Sequence, residues 1–191
     1  MRQKNALRKA LTARLKAFLH DRSDAQIQQA TASVCRHLEA LITGKPRWIG
    51  LYRATPTEPD LESFRRWAYD HSIQCGVPAW DAELNLYRWC RWVYDPQRTW
   101  IRGPHGALEP PDKEWIDTEA DWVVVPGLGF DETGVRLGHG GGYIDRLLVG
   151  QPQHTIIGCA WSCQAMESPL PMEDHDRPVG HVVTERSIHS V

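Results

Sequence analysis

The segment Gly134-Val135-Arg136-Leu137-Gly138-His139-Gly140-Gly141-Gly142-Tyr143-Ile144-Asp145-Arg146 concentrates residue types that bind phosphate. Glycine puts no side chain between backbone and ligand, and its freedom at positive φ lets successive N–H groups turn toward one anion. Arg136 adds a guanidinium that can grip phosphate oxygens bidentately. A helix starting near Tyr143 adds the positive end of its dipole, and Asp145, one step into it, suits a magnesium ion bridging phosphates. No Gly-Lys-Ser/Thr follows the glycines and the spacing Gly-x-Gly-x-x-Gly is absent, so this is neither a Walker loop nor a dinucleotide fingerprint. A bare glycine cluster after a strand is as often a simple turn. Four glycines with Arg, Tyr and Asp in ten residues favour nucleotide phosphate.

Such a loop needs a strand before it and a helix after it. Trp122-Val123-Val124-Val125-Pro126 reads as a strand buried on both faces. Residues 143–148 read as the helix. Upstream, apolar spacing predicts helices over residues 3–20 and 24–43, with Ser23 or Asp24 as N-cap of the second. Residues 48–52 predict a strand, 61–72 a helix, and 73–78 a further strand. Leu84 to Arg102 alternates like a hairpin-like excursion, broken at Gly103-Pro104-His105-Gly106. Thr155–Ala160 and His181–Thr184 predict the last strands. The expected fold is therefore α/β: one domain over residues 1–191, a three-layer open sheet, mostly parallel, with helices on both faces. Ligands of such sheets settle beyond the carboxyl ends of the strands.

The 191 residues are 41% hydrophobic and 24% charged, an ordinary globular composition. A formal net charge of −2 argues against a nucleic-acid binder, so any anion site must be local. The basic first helix carries Arg2, Lys4, Arg8, Lys9, Arg14 and Lys16 before the first acid, Asp21, which leaves a transit peptide as a minor alternative. No apolar run could span a membrane. Five scattered cysteines fit reduced thiols in a cytoplasmic protein better than a disulfide framework. The nine tryptophans are expected mostly in the core, although those between Trp80 and Trp100 could offer a stacking surface.

The run from Gly134 to Arg146, preceded by Val125-Pro126-Gly127 and Phe130-Asp131, resembles the signature of the 5-formyltetrahydrofolate cyclo-ligase family. Lys4-x-x-Leu7-Arg8 is similar to that family's ATP-contacting first helix, and Glu58-x-Asp60 to its folate-contacting acidic segment. Gly106-Ala107-Leu108-Glu109-Pro110, and Leu170-Pro171 with Asp176, match further family marks. The resemblance implies ATP- and Mg²⁺-dependent closure of 5-formyltetrahydrofolate to 5,10-methenyltetrahydrofolate. It implies ATP contacts at Lys4, Arg8, Arg136, Leu137, Gly138, His139, Gly140, Gly141, Gly142, Tyr143 and Ile144. The reduced folate would meet Glu58, Asp60, His139, Gly140, Gly141, Gly142 and Tyr143. Arg136 and Tyr143 would serve catalysis, Asp145 and Asp176 would hold the metal, and the chain would act as a monomer.

Each of these has a plainer reading. Lys4 and Arg8 share a helix face that could simply meet water, and Glu58 and Asp60 are residue types common in turns and caps. Asp176 lies in the acidic run Glu173-Asp174-His175-Asp176, and His139 is expected to be solvent-exposed. His175 and His181 lack cysteines at zinc spacing. Two departures from the family pattern stand out: Ile144 replaces a second tyrosine, and Gly180 replaces an acid. They leave open a non-catalytic folate- or nucleotide-binding regulator. A sugar-phosphate or acyl-transfer enzyme is the third option, for which the sequence offers no convincing nucleophile.

Overall fold

The computed structural model describes residues 2–93 and 99–191. Two helices lead, α1 (Arg2–His20) and α2 (Asp24–Leu41). Ser23 caps α2: its hydroxyl accepts the Gln26 N–H at 3.3 Å while the Gln26 side chain accepts the Ser23 N–H at 2.9 Å. This reciprocal pair satisfies two donors that the helix start would otherwise orphan. Then come β1 (Trp48–Gly50), α3 (Glu62–Asp70) and β2 (Gln74–Asp81), with Ile49 opposite Cys75 in parallel register. β3 (Leu86–Arg91) returns antiparallel on β2, so the alternation from Leu84 is a hairpin. Residues 94–98 of that excursion lie outside the described residues.

A small hairpin, β4 (Ile101–Arg102) and β5 (Leu108–Glu109), leads to β6 (Trp122–Pro126), which pairs parallel with β1 on the side away from β2. The chain finishes with β7 (Gly129–Asp131), β8 (Arg136–Leu137), α4 (Tyr143–Leu147), β9 (Ile156–Cys159), β10 (Ala165–Met166), β11 (His181–Val183) and β12 (Ile188–Ser190). The main sheet has seven strands in the order β12-β11-β9-β6-β1-β2-β3. Its neighbours from β11 to β2 pair parallel, and the two edge strands, β12 and β3, pair antiparallel. Strand order reverses between β1 and β6, so the crevice beyond their carboxyl ends is where a ligand fits.

The β-branched run of β6 is buried on both faces because helices lie on both. On one face Val34 and Leu38 of α2 and Phe64 and Ala68 of α3 cover Ile49, Leu51, Val124 and Ile157. On the other, Leu148 and Ile144 around α4 cover Trp48, Val123, Val125 and Ile156. Two features depart from the sequence expectation. Residues 127–137 are not an open loop: β7 and β8 pair antiparallel and β10 joins β7 in a three-stranded sheet. β12 was not foreseen, because an edge strand exposed at all three residues shows no alternating burial. The five cysteines are free thiols, and four are buried. Of the tryptophans, Trp48, Trp92 and Trp161 are buried, and Trp67, Trp89, Trp100 and Trp122 are half-buried and packed against the core, as expected for most of them. Among the described residues, no helix is long and apolar enough to cross a membrane.

Candidate functional site

The chain leaves β6 through Gly127 and, after the β7–β8 hairpin, enters the glycine loop at Gly138. A Cβ on Gly127 would sit 3.1 Å from Arg136 Cγ, and one on Gly138 only 2.7 Å from Arg136 Nη1. Gly127 therefore leaves room for the stem of the Arg136 side chain and Gly138 for its guanidinium. Arg136 is 6% exposed and donates from Nη2 to Asp145 Oδ1 at 2.7 Å. Its Nη1 reaches the Pro126 carbonyl at 3.4 Å, while its buried Nε has no partner among the described residues. An unsatisfied buried donor is costly, which makes Nε a candidate contact for a ligand oxygen.

The first turns of α1 close the other side. Arg8 Nε donates to the Gly138 carbonyl at 2.9 Å, and Arg8 Nη1 to Asn5 Oδ1 at 2.7 Å. Lys4, one turn earlier on the same helix face, is buried and pairs with Asp176 Oδ2 at 2.5 Å and Glu173 Oε2 at 3.1 Å. Burial alone would lower the Lys4 pKa, but the hydrogen bonds from its ammonium to both carboxylates raise it above the usual lysine value. Burial likewise opposes charge on Asp176, yet Lys4 and the Glu173 N–H hold that carboxyl below its usual range.

These groups line one cavity of about 630 Å³, a volume suited to a nucleotide-sized ligand. Lys4, Arg8, Arg136 and Arg146 give it four fixed positive charges against the carboxylates of Asp145, Glu173 and Asp176. The local charge is thus positive in a chain whose net charge is −2. Tyr143 joins this cavity to an aromatic wall. His105, at the turn between β4 and β5, stacks on Tyr143 with centroids 4.6 Å apart, and its Nδ1 lies 3.2 Å from the Tyr143 hydroxyl. Tyr87 meets Tyr143 edge-on at 5.2 Å, and Trp80 meets both Tyr87 and His105 edge-on. Burial, with Glu109 and Tyr143 nearby, pushes the Tyr87 phenol up to about 12, so it stays a neutral donor. The Arg146 guanidinium also lies over the Tyr143 ring, 4.9 Å from its centroid, so this aromatic cluster fixes the tyrosine at the cavity edge.

Most of the residues marked in the sequence meet here: Lys4, Arg8, Arg136, Leu137, Gly138 to Ile144, Asp145 and Asp176 all line this cavity. His139 borders it and is exposed. Ile144 packs against the second core as well, where an apolar side chain is favoured. Glu58 and Asp60 do not line the cavity. They follow β1, where Glu58 accepts the Thr55 N–H at 2.8 Å and Asp60 accepts the Glu62 N–H at 2.9 Å, turn and helix-start roles. The helix after the glycines is only five residues long and starts at Gly142 without a side-chain cap, so its dipole contributes less than a long helix would.

The carboxylates marked for metal are already engaged: Asp145 with Arg136 and the Arg177 N–H, Asp176 with Lys4. Asp145 Oδ2 has no bond among the described residues, whereas Asp176 Oδ1 has His175 Nε2 at 3.8 Å, so Asp145 is the better fit to a magnesium ion that takes one or two carboxylates. Glu173, His175 and Asp176 bring three ligand atoms within 4.8 Å of one another, but the Lys4 ammonium occupies that cluster. The sequence pointed to Trp80 as part of a stacking surface but not to Tyr87 and His105. A strand pairing that sets Trp80 opposite Tyr87 and a hairpin that carries His105 onto Tyr143 leave no local signal.

The model of the 5-formyltetrahydrofolate cyclo-ligase family matches residues 1–185. The chain belongs to that family. A mouse (Mus musculus) 5-formyltetrahydrofolate cyclo-ligase is 24% identical over 194 aligned positions, covering 96% of this chain and 94% of the relative. A Saccharomyces cerevisiae 5-formyltetrahydrofolate cyclo-ligase is 35% identical over 96 residues, 46% of this chain and 45% of the relative, so this match spans less than half of the yeast protein. The Aquifex aeolicus 5,10-methenyltetrahydrofolate synthetase, solved by NMR, superposes with a TM-score of 0.78 at 30% identity, over 98% of this chain and 92% of that one. A Mycoplasma pneumoniae 5,10-methenyltetrahydrofolate synthetase shares the fold at 22% identity and a TM-score of 0.68, over 96% of this chain and 99% of that one. The cyclo-ligase fold thus accounts for the sheet, and the family signature coincides with the loop around Arg136.

Proposed function

We propose that this cyclo-ligase family member converts 5-formyltetrahydrofolate to 5,10-methenyltetrahydrofolate, using ATP and releasing ADP and phosphate. The carrying observation is the cavity in which Lys4, Arg8 and Arg136 converge on the glycine loop and which Tyr143 also lines, with His105 and Tyr87 packed against that tyrosine. A phosphate end and a ring end meet at one residue.

A formyl amide is a poor electrophile, so its oxygen must first become a leaving group. Transfer of the γ-phosphoryl group to that oxygen does this, breaking the bond to ADP. N10 then attacks the activated carbon, loses its proton, and the carbon–oxygen bond breaks to release phosphate. Phosphoryl transfer depends on positioning and on neutralising the equatorial oxygens. Lys4, Arg8 and Arg136 supply cations, and amides from Gly138 to Gly142 supply donors. Mg²⁺, held by Asp145 and Asp176, would neutralise phosphate charge. Glu58 and Asp60 are assigned to the pterin, whose N–H groups match paired carboxylate acceptors; for this the loop after β1 must turn toward the cavity.

The test is to follow methenyl-folate absorbance with purified protein, 5-formyltetrahydrofolate, ATP and Mg²⁺. Absence of product from folded protein that binds ATP would defeat the activity. One observation favours a second reading, a regulator that binds without turnover. Gly180 stands where the family pattern has an acid, and a Cβ there would lie 2.6 Å from the Gln153 carbonyl oxygen, so backbone fills that place. Calorimetric binding of folate or ATP without ATP consumption would support that alternative.

A further inference from the structure

The turn between β7 and β8 holds a buried carboxylate that reaches well beyond the turn. Asp131 is 3% exposed. Its Oδ1 accepts the Thr133 N–H at 2.9 Å, the Thr133 hydroxyl at 2.7 Å and the Val135 N–H at 3.0 Å, bonds that build the turn leading into Arg136. Its Oδ2 accepts the Leu170 N–H at 2.7 Å, 39 residues along the chain. Leu170 sits between Pro169 and Pro171, and proline has no N–H, so this is the one amide donor of the three residues. A second tie runs from the Val179 N–H to the Gly134 carbonyl at 2.9 Å.

Residues 171–178 therefore form an arch whose two feet, Leu170 and Val179, stand on the β7–β8 turn. The span of that arch meets the nucleotide end of the cavity. Glu173 and Asp176 pair with Lys4, and the Arg177 N–H reaches Asp145, the partner of Arg136.

We propose that Asp131 is a positioning residue for the nucleotide: it locks the arch to the hairpin that carries Arg136, so that Asp176 and Arg136 keep a fixed spacing. This rests on the reading of the cavity as an ATP site. Asn at position 131 separates the two jobs of the carboxylate. Its carbonyl oxygen can still accept the turn's hydrogen bonds, whereas its NH₂ group meets the Leu170 N–H donor to donor. Asp131→Asn therefore frees the arch while keeping the turn.

Calorimetry with MgATP on the full chain, joined to steady-state kinetics, tests this. Wild type must bind MgATP; if it does not, the ATP reading falls, and this inference with it. Asp131→Asn is expected to weaken MgATP binding about tenfold while changing the KM for 5-formyltetrahydrofolate less than about twofold, because the arch touches only the phosphate end. In an Asp176→Asn background, where the arch has lost its charged Asp176 contact and keeps only Glu173 against Lys4, the further loss from Asp131→Asn should be smaller than in wild type, under about twofold. Unchanged MgATP binding in Asp131→Asn, equal losses in both backgrounds, or equal losses for both substrates would each overturn the assignment. Should Asp131→Asn not fold, hydrogen exchange in the wild type decides. Leu170, Val179 and Val135 amides sharing one protection factor supports the lock, and fast independent exchange at Leu170 and Val179 overturns it.

Discussion

Arg136 is tied to the rest of the site by a 2.7 Å ion pair and a slot between two glycines, and its Nε has no partner among the described residues. Removing one preorganised electrostatic contact to a transition state typically lowers turnover about 10²–10³-fold. Arg136→Ala should lose at least that much in kcat/KM for ATP, with Asp145 left beside the cavity without its guanidinium. Arg136→Lys should recover only part, since an ammonium cannot make a fork-shaped grip; the same kinetics read this out. The Lys4–Asp176 pair predicts a pH dependence. Against burial, Lys4 holds the Asp176 carboxyl below its unfolded value of about 3.9, so its stabilisation is complete above that pH and lost as pH falls through the lower folded value. Lys4, raised by the same pair against the effect of burial, contributes fully below its unfolded value and loses that contribution as pH rises through the folded one. Asp176→Asn should flatten both limbs of stability against pH, measured by denaturant unfolding below about pH 4 and above about pH 10.

Elements here are held by local chemistry that substitution can isolate. Gly134 and Gly150 both have positive φ, +80° and +88°. A Cβ on Gly150 meets nothing within 4 Å, whereas one on Gly134 would lie 2.2 Å from the Val179 carbonyl oxygen. Gly150→Ala should cost about 1 kcal/mol, the backbone strain alone. Gly134→Ala must also push the arch foot off the β7–β8 turn and should cost several times more. Thermal unfolding of the two variants compares them directly. The cap of α2 gives a second measure: Ser23→Ala removes the capping box and should cost about 1 kcal/mol in the same experiment.

For the molecule as a whole, a ligand that binds only the folded state stabilises it by mass action. MgATP at about one hundred times its Kd should add about 2.7 kcal/mol, which for a domain of this size raises Tm by roughly 5–10 °C. No shift, measured by calorimetric melting, would remove the nucleotide from the cavity. Much of this architecture was legible in the residues themselves. The apolar spacing of α1 and α2, the β-branched β6 and the glycine loop are local patterns, and local patterns write secondary structure and the residue types on which the proposed phosphate binding rests. What the residues could not express is which distant groups meet. Lys4 and Asp176 are 172 residues apart, Asp131 and Leu170 39 apart, and His105 reaches Tyr143 because the β4–β5 hairpin and α4 both pack on the β2–β3 hairpin. Those meetings depend on sheet order and on the closure of α1 over the loop, which are decided by burial of the whole core and leave no mark in any short stretch of chain. The sequence by itself determined which residue types the loop offers a ligand; the tertiary structure alone decided that Lys4 and Arg136 arrive already paired with Asp176 and Asp145, and that a buried aspartate ties the arch to the hairpin that carries Arg136.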